Sequence, residues 1–424
     1  MITKPVWREN VGIYNFDWDD LNLYAKMDRI FSKEKTLIGE LKLWHKQSGN
    51  DEIIELSRLD LLSDRARNNL AMSLDKRNKS IDWLSVLKYI CFITVDHYRK
   101  GEPIEFLGDE PKTMEQEFLL YPILRKNQPT TVFSDGGTGK SLLADYSAVL
   151  VFYGYPGFFI PWMGLPLTPD GGNVLFLDWE ADKEDHQKRV WAIKKGLGII
   201  DADRFFYRKC NQPIVDDIAE IQKIVKDNKI IFVIIDSQVA ASGDTKDPAD
   251  GARRYYNALR SLNCTTLTID HVPKGNGLND THKPYGSTFK WNLSRSQFEL
   301  KKVQQPGENV MQLALYHRKN NEGLLLNPIG YQVEFVNSDN SILDKVVFTG
   351  IDVSNELASG EVANLSYRIN KLLSSTKTGQ MSLDNIATFL KLDKSVVLTC
   401  LEQHRESFEQ KNNLWHTVTT DYGE

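Results

Sequence analysis

Along the 424-residue chain, hydrophobic and polar positions follow the two-residue period of strands in some segments and the helical period in others. Near its start, the pattern predicts strands at 21–30 and 36–44 and helices at 63–77 and 81–100. Ser63 and Ser80 stand where helix N-caps belong. Basic and acidic residues are mixed throughout this part, and no catalytic cluster is visible in it. We therefore expect a small α+β module over residues 1–111.

From about Tyr121, short apolar runs alternate with helical stretches. The apolar runs predict strands at 130–133, 173–178, 230–236 and 264–270. The stretches between them predict helices at 140–152, 183–196, 215–227 and 247–262. This alternation is typical of a mainly parallel sheet with helices on both faces, an α/β core that we expect over 112–348. Three further strands, expected to be antiparallel, follow at 297–302, 312–317 and 331–336.

The end of the chain has a third pattern. A polar and acidic run predicts a linker over 349–363. Beyond it, the pattern predicts helices at 364–373, 383–392 and 394–407 and short strands at 408–409 and 415–418. Three helices with a β wing outline a winged-helix-like domain over 364–424. Its basic and acidic residues are nearly balanced, so contact with protein is at least as well supported as binding to DNA.

Composition narrows the class of protein. A net charge of -5 and a pI near 6.0 exclude a uniformly basic nucleic-acid coat, but not a local basic groove. The four cysteines form no CxxC pair, which favours a reducing compartment without zinc knuckles or disulfides. The start of the chain has no apolar export signal, and prolines interrupt the apolar stretch 147–167. We expect a soluble, cytoplasmic protein.

The strongest chemical signal is a glycine-rich segment that follows a predicted strand and begins a predicted helix. This context is required of a loop that binds nucleotide phosphates. Backbone N–H groups would point inward, Lys140 would reach the β and γ phosphates of ATP, and the Ser141 hydroxyl would bind Mg²⁺. Ser134 replaces the first glycine of the usual motif. The residues expected to contact ATP are Ser134, Asp135, Gly136, Gly137, Thr138, Gly139, Lys140, Ser141 and Leu142.

Polar residues follow three of the predicted strands, whose carboxyl ends meet at one edge of the sheet. Asp236 ends an apolar strand and is expected to lie beside Mg²⁺ as the Walker B carboxylate. Glu180 suits a general base, although a Glu there also suits a helix start. Asp178 is better explained as a turn or capping residue. For His271, a γ-phosphate sensor and a structural histidine are about equally favoured.

In this order, these motifs resemble the RecA/DnaB superfamily, most closely the RepA-type hexameric helicase group of AAA-domain ATPases. The segment Val174-Leu-Phe-Leu-Asp-Trp-Glu-Ala-Asp182 is similar to that group's catalytic-Glu strand. The segments Asp270-His-Val-Pro-Lys274 and Pro284-Tyr-Gly-Ser-Thr-Phe-Lys290 are similar to its sensor strand and following loop. The resemblance implies a RecA-like fold, ATP hydrolysis with Mg²⁺, and a homo-hexamer with ATP between subunits.

The resemblance also implies a basic finger that reaches the ATP of the neighbouring subunit. The segment 316–323 is similar to the Lys-x-Arg-Asn-Gly segment of DnaB-like helicases, which makes Arg318 and Lys319 the expected catalytic fingers. Adjacent strand residues point to opposite faces, so only one of the two can easily face the phosphate. Lys290 and Arg295 are rival candidates. For any one of the four, a solvated position at a strand end is equally well supported.

Single-stranded DNA is the partner that the resemblance implies, through the loops 242–250 and 274–284. The second loop carries Lys274, His282 and Lys283, whereas the first is acidic. We expect a helicase or translocase. One alternative is an ATP-switched regulatory protein, which would recruit partners through its N- and C-terminal domains. Another is a recombinase.

Overall fold

The computed structural model describes most of the chain. The described residues are 3–10, 12–33, 35–45, 52–101, 117–155, 171–201, 204–243, 247–272, 288–338, 343–351, 353, 365–376, 378–390, 392–405 and 407–418. The expected border between residues 111 and 112 lies outside them.

An antiparallel sheet with two helices on one face forms the N-terminal part. Its strands follow one another in chain order, with a short 3₁₀ turn at Asp19–Leu21. The elements are β1 (Val6–Asn10), β2 (Ile13–Trp18), β3 (Leu23–Lys33), β4 (Thr36–His45), β5 (Glu52–Asp60), α1 (Asp64–Arg77) and α2 (Trp83–Lys100). Phe16 and Met27 pack with Trp83 of α2 in one buried core. The predicted hairpin and both helices are confirmed, and three further strands complete the sheet.

Only one of the two expected N-caps of these helices is confirmed. Ser63 Oγ accepts a hydrogen bond from Ala66 N at 3.1 Å and caps α1. Ser80 does not cap α2, because that helix begins two residues later than expected. Asp82 caps it instead and accepts a bond from Ser85 N at 3.1 Å.

A nine-stranded sheet forms the centre of the molecule. Its elements, with those leading into it, are β6 (Phe118–Leu120), β7 (Leu124–Arg125), β8 (Pro129–Ser134), α3 (Lys140–Tyr153), β9 (Asn173–Asp178), α4 (Lys183–Gly196), β10 (Phe206–Lys209), α5 (Ile214–Asp227), β11 (Ile230–Asp236), α6 (Gln238–Ser242), α7 (Pro248–Ser261), β12 (Thr265–His271), α8 (Thr288–Leu293), β13 (Ser296–Val303), β14 (Val310–Asn320), β15 (Ile329–Asn337) and β16 (Leu343–Ile351). The strand order is β10-β9-β11-β12-β8-β13-β14-β15-β16. The first six strands are parallel and the last three are antiparallel.

Alternate residues of the parallel strands face two separate cores. On one face, Phe176 and Ile234 pack with α3 and α4. On the other face, Leu177 and Ile235 pack with α5 and α7. A mainly parallel sheet covered on both faces confirms the predicted RecA-like α/β fold.

The predicted direction of one strand is wrong. The segment 297–302 was expected to be antiparallel, but β13 runs parallel to β8 and pairs antiparallel only with β14 on its other side. Alternation along a strand reports which face is buried and not which neighbour the strand pairs with, so the pattern could not reveal this.

The C-terminal residues fold around a small core of their own. The elements are α9 (Leu365–Ser375), β17 (Gln380–Ser382), α10 (Leu383–Leu390), α11 (Lys394–Gln403), β18 (Phe408–Lys411) and β19 (Leu414–Thr417). The three strands form an antiparallel sheet in the order β17-β19-β18. Ile369, Leu401 and Trp415 are buried together between helices and sheet.

The predicted linker overlaps the last strand of the central sheet. β16 continues through Ile351, so residues 349–351 pair with β15 instead of forming a linker. Val353 is buried against Ala314 and Tyr316. The rest of the predicted linker lies outside the described residues. Within the described part of the chain, we find no helix long and apolar enough to span a membrane.

Candidate nucleotide site

The glycine-rich loop joins the carboxyl end of β8 to the first turn of α3. Gly137 and Gly139 adopt φ values of +71° and +97°, which side chains with a Cβ rarely adopt. Gly139 is also the N-cap residue of α3. Gly136 does not have a positive φ, so only two of the three glycines are required by backbone conformation. The loop thus places the amino end of α3, with its free N–H groups, beside the cavity described below.

Lys140 is buried at the base of this loop. Its Nζ donates to Ser134 O and Ser134 Oγ, both at 3.1 Å, and to Asp135 O at 2.8 Å. Burial lowers the pKa of Lys140, while the nearby carboxylates of Asp236 and Glu180 oppose this shift. Ser134 therefore contacts the lysine even though it replaces a glycine of the usual motif.

Ser141 and Asp236 lie together at the sheet edge. Ser141 Oγ donates to Asp236 Oδ2 at 2.6 Å. Burial raises the pKa of Asp236, and the carboxylates of Glu180 and Asp178 raise it further. A hydroxyl and a carboxylate in an acidic, buried setting are the oxygen ligands that Mg²⁺ takes, and its charge would offset the clustered carboxylates. These two residues therefore fit a Mg²⁺ site.

Glu180 lies just past β9, opposite the end of β11. Ser237 Oγ donates a short hydrogen bond to Glu180 Oε1. His271 Nε2, at the end of β12, lies 3.8 Å from Glu180 Oε2. The peptide bond between Asp236 and Ser237 is cis. Three adjacent strands therefore bring a carboxylate, a hydroxyl and an imidazole to one point.

One cavity of about 360 Å³ gathers most of the residues singled out in the sequence. Its lining residues are Gly137, Thr138, Gly139, Lys140, Ser141, Leu142, Glu180, Arg189, Asp236, Ile269 and His271. Ser134 and Asp135 contact Lys140 but do not line the cavity, and neither does Gly136. Arg189 is the one charged residue of the lining that the sequence analysis did not identify.

A buried network of charged side chains supports the residues that line the cavity. His186 Nδ1 donates to Asp145 Oδ1 at 2.7 Å, and its Nε2 lies 3.4 Å from Asp178 Oδ2. Burial alone would lower the pKa of His186, but the hydrogen bond to Asp145 and the nearby carboxylate of Asp178 raise it to about 9. Arg189 also donates to Asp145. The imidazolium thus joins α3, α4 and β9.

Asp178 holds the turn that carries Glu180. Its Oδ1 accepts hydrogen bonds from the backbone N–H groups of Glu180 and Ala181, both at 2.9 Å. Tyr207 OH donates to its Oδ2 at 3.0 Å. The interpretation of Asp178 as a turn residue is confirmed by these bonds.

Arg318 and Lys319, the expected fingers, are both engaged within their own chain. Arg318 Nε donates to Glu299 Oε2 at 2.7 Å, and its guanidinium lies 4.8 Å from the Tyr316 ring centre. Lys319 Nζ donates to three backbone carbonyls at the carboxyl end of α8, including Ser294 O at 2.7 Å. The β13–β14 register shifts beside Arg318, so simple alternation of the two side chains does not hold there.

The two rival fingers differ in exposure. Lys290 is buried, with its Nζ 3.3 Å from the buried carboxylate of Asp270. Arg295 is about half exposed (49%) and lies 3.6 Å from Glu322. Arg295 directly precedes Ser296, which pairs with Thr130 at the start of β8. Arg295 is therefore at the edge of the sheet opposite to its own glycine-rich loop.

The described residues include only part of one expected DNA-contacting loop and none of the other. The loop 274–284, with Lys274, His282 and Lys283, lies outside the described residues. Of the loop 242–250, residues 244–246 also lie outside them.

The strand order and the cavity define a P-loop ATPase core of the RecA-like class. Residues 100–277 match the family model of an AAA domain, a span of somewhat less than half of the chain. A search of curated proteins finds no match. Among solved structures, a KaiC-like protein from the hyperthermophilic archaeon Pyrococcus horikoshii OT3 is 13% identical, with a TM-score of 0.36. That alignment covers 56% of this chain and 100% of the archaeal chain.

Proposed function

We propose that this chain hydrolyses ATP with Mg²⁺ in the cavity above α3, and that copies of it form a hexameric ring acting on single-stranded DNA. One observation carries the first part. A single cavity is lined by Lys140, Ser141, Glu180, Asp236 and His271, which supply the parts that phosphoryl transfer to water needs.

Each of these residues has a role in the proposal. The Lys140 ammonium binds the β and γ phosphates, and Ser141 and Asp236 hold Mg²⁺, which when bound neutralises phosphate charge. Glu180 accepts a proton from the attacking water, with its carboxylate held by Ser237. His271 lies beside Glu180 and contacts the γ-phosphate, so it responds to hydrolysis.

Replacement of Lys140 tests the site. We expect Lys140→Ala to lower ATP turnover by at least about 100-fold, because the main phosphate-binding charge is removed. Lys223→Ala on α5 is the matched control, since Lys223 is exposed and does not line the cavity. A purified Lys140→Ala protein that folds and turns over ATP at the wild-type rate would rule out this cavity as the active site.

The second part of the proposal is the hexameric ring and its DNA substrate. Arg295 is exposed at the edge of the sheet opposite to its own cavity, so it is better placed for a neighbour's ATP than for its own. The C-terminal order of helix, strand, two helices and two strands supports a winged-helix-like domain. The four cysteines are free and buried, which supports a reducing cytoplasmic compartment.

An ATP-switched regulatory protein is the second candidate, supported by the near-neutral charge of the C-terminal domain. The two candidates differ in how DNA affects turnover. We expect single-stranded DNA to raise the ATPase rate several-fold if the protein is a motor. An unchanged rate at saturating DNA would favour the switch. Negative-stain images with a non-hydrolysable ATP analogue would reveal whether a closed ring forms.

A further inference from the structure

The N-terminal sheet has a second face, which is turned away from α1 and α2. On β4, Leu41 and Leu43 are buried against the helices, whereas Lys42 and Trp44 alternate with them and remain partly exposed. We call the side that carries Lys42 and Trp44 the outer face. The nucleotide cavity is elsewhere, and the proposed ATPase activity assigns this face no role.

An aromatic pair lies at the centre of the outer face. Tyr24 on β3 is directly opposite Trp44 on β4, and the two rings stack with centroids 5.1 Å apart and planes 24° from parallel. Ile53 on the edge strand β5 pairs with Trp44 and is 60% exposed. This row therefore presents flat, apolar surface to solvent across three strands, and it ends at Asp17 of β2, which is opposite Tyr24.

A row of basic residues runs beside the aromatic row. The strand register aligns Arg8, Asn15, Lys26 and Lys42 across β1 to β4. Lys42 Nζ lies 5.4 Å from the centre of the Trp44 ring. Lys26 forms an ion pair with Asp28 at 2.5 Å, but within the described residues no carboxylate pairs with Arg8 or Lys42. Two of the three cations are thus available to an anionic ligand.

Contact with the ATPase core leaves this row open. The N-terminal module approaches the core at Arg29, whose guanidinium lies 4.0 Å from Asp217 of α5. Arg29 is five residues along β3 from Tyr24, or roughly 16 Å at the rise of a strand. Ile53 and Leu56 remain more than half exposed.

Two kinds of partner fit an apolar sheet face, and the charges decide between them. The cores of protein–protein interfaces are depleted of lysine, whereas here a row of cations directly adjoins the aromatic rings. Stacked rings with adjacent cations are the arrangement that binds single strands, because bases stack on the rings and phosphates follow the charges.

We propose that the outer face binds single-stranded nucleic acid, with bases on Tyr24 and Trp44 and phosphates along Arg8, Lys26 and Lys42. The proposal does not rest on ATP hydrolysis, so the test uses the full-length protein without nucleotide. The readout is the fluorescence anisotropy of a labelled oligothymidine of about 20 nucleotides.

Two variants remove the two halves of the face. We expect Trp44→Leu and Lys42→Glu each to raise the Kd for the oligonucleotide about tenfold, as loss of one stacked base or one phosphate contact does. The matched controls, Phe92→Leu and Lys88→Glu, change an aromatic residue and a lysine on the exposed side of α2 and should alter the Kd less than about twofold. An unchanged far-UV circular dichroism spectrum and an unchanged Tm verify that each variant is folded.

The alternatives give different results. Wild-type affinity in both Trp44→Leu and Lys42→Glu overturns the proposal. A variant that keeps its oligonucleotide affinity but changes its oligomeric state by light scattering would assign the face to protein contact and also overturn it. An oligouridine of equal length tests the sugar: either polymer bound through Trp44 supports the proposal, and failure of both contradicts it.

Discussion

Glu180 is held from two directions in the nucleotide cavity. Its carboxylate accepts a hydrogen bond from Ser237, and its backbone N–H donates to Asp178. His186 of α4 faces Asp178 and donates a hydrogen bond to Asp145 of α3. Asp178 is therefore linked to both helices. The position of the expected base therefore depends on a set of residues that do not themselves line the cavity.

Replacing the expected base separates binding from hydrolysis. We expect Glu180→Gln to bind ATP normally but to lower kcat by about 10²–10⁴-fold, since the amide keeps the shape and loses the basicity. Binding is measured with a fluorescent ATP analogue and turnover by phosphate release. Glu184→Gln, an exposed change on α4, is the control. A near-normal kcat in Glu180→Gln would mean that the base is elsewhere.

The buried His186 predicts a pH dependence of stability. Its folded pKa of about 9 lies above the ordinary value of 6.5, because Asp145 and Asp178 hold its proton while Arg189 opposes this. The stabilisation is therefore complete below about pH 6.5 and is lost as the pH rises through 9. Tyr207, which also faces Asp178, has a raised pKa from burial and stays neutral in this range.

Thermal melting from pH 6 to pH 10 tests this. We expect the wild-type Tm to fall with pH across this window, and the fall to be clearly smaller in His186→Gln, which cannot carry the proton. His404→Gln in α11's C-cap is the control for loss of a histidine elsewhere. Parallel Tm curves for wild type and His186→Gln would contradict a charged His186.

The sequence identified the site residues that lie at strand ends or in the glycine-rich motif, and it missed Arg189, which enters the cavity from the side of α4. Lys140, Ser141, Glu180, Asp236 and His271 were found because a motif or an apolar strand points to each of them. Arg189 has no such marker, since one arginine on a charged helix is ordinary. Its spacing of three from His186 places both on one face of α4, but only the fold reveals that this face meets the cavity.

Among elements, the buried parallel strands were the easiest to predict. β9 and β11 have the predicted bounds because continuous apolar runs between polar ends leave no alternative. β1 and β5 were missed because they mix exposed charged and apolar residues without clean alternation. β17 was missed because its three residues are too few to form a pattern.

The N-cap of α2 offers a direct comparison between the sequence-based and the structural assignments. We expect Asp82→Ala to lower the free energy of unfolding by about 1 kcal/mol, because Ser85 N loses its acceptor. Ser80→Ala should change it by less than about 0.5 kcal/mol. Urea denaturation, followed by far-UV circular dichroism, measures both. Equal losses, or a larger loss for Ser80→Ala, would restore Ser80 as the cap.

For the whole molecule, the proposed ring would let one subunit complete the nucleotide cavity of the next. Arg318, Lys319 and Lys290 are engaged within their own chain, and Arg295 is the most exposed of the four candidates. Because Arg295 lies at the opposite edge of the sheet, it is too far from its own cavity to contribute to it. A shared site would therefore form between the glycine-rich-loop edge of one subunit's sheet and the opposite edge of its neighbour's sheet.

Mixing two inactive variants tests shared sites. We expect Arg295→Ala to lower ATP turnover by about 10³-fold, the size of effect of a missing arginine finger. Lys140→Ala keeps Arg295, so a mixture of the two variants should regain part of the wild-type rate at mixed interfaces. Mixing Lys140→Ala with Glu180→Gln is the control and should regain nothing, since both changes affect the same half-site. No recovery in the first mixture would exclude Arg295 as a finger in trans.

The end of β16 also determines where the ATPase core can be shortened. A fragment ending at residue 348, the border expected from the sequence, would remove the pairing of Thr349, Gly350 and Ile351 with β15. It would also remove Val353, which covers Ala314 and Tyr316 and lies against Gly330. Such a fragment would expose an unfinished sheet edge and invite aggregation. The smallest fragment that preserves the sheet therefore ends after Val353.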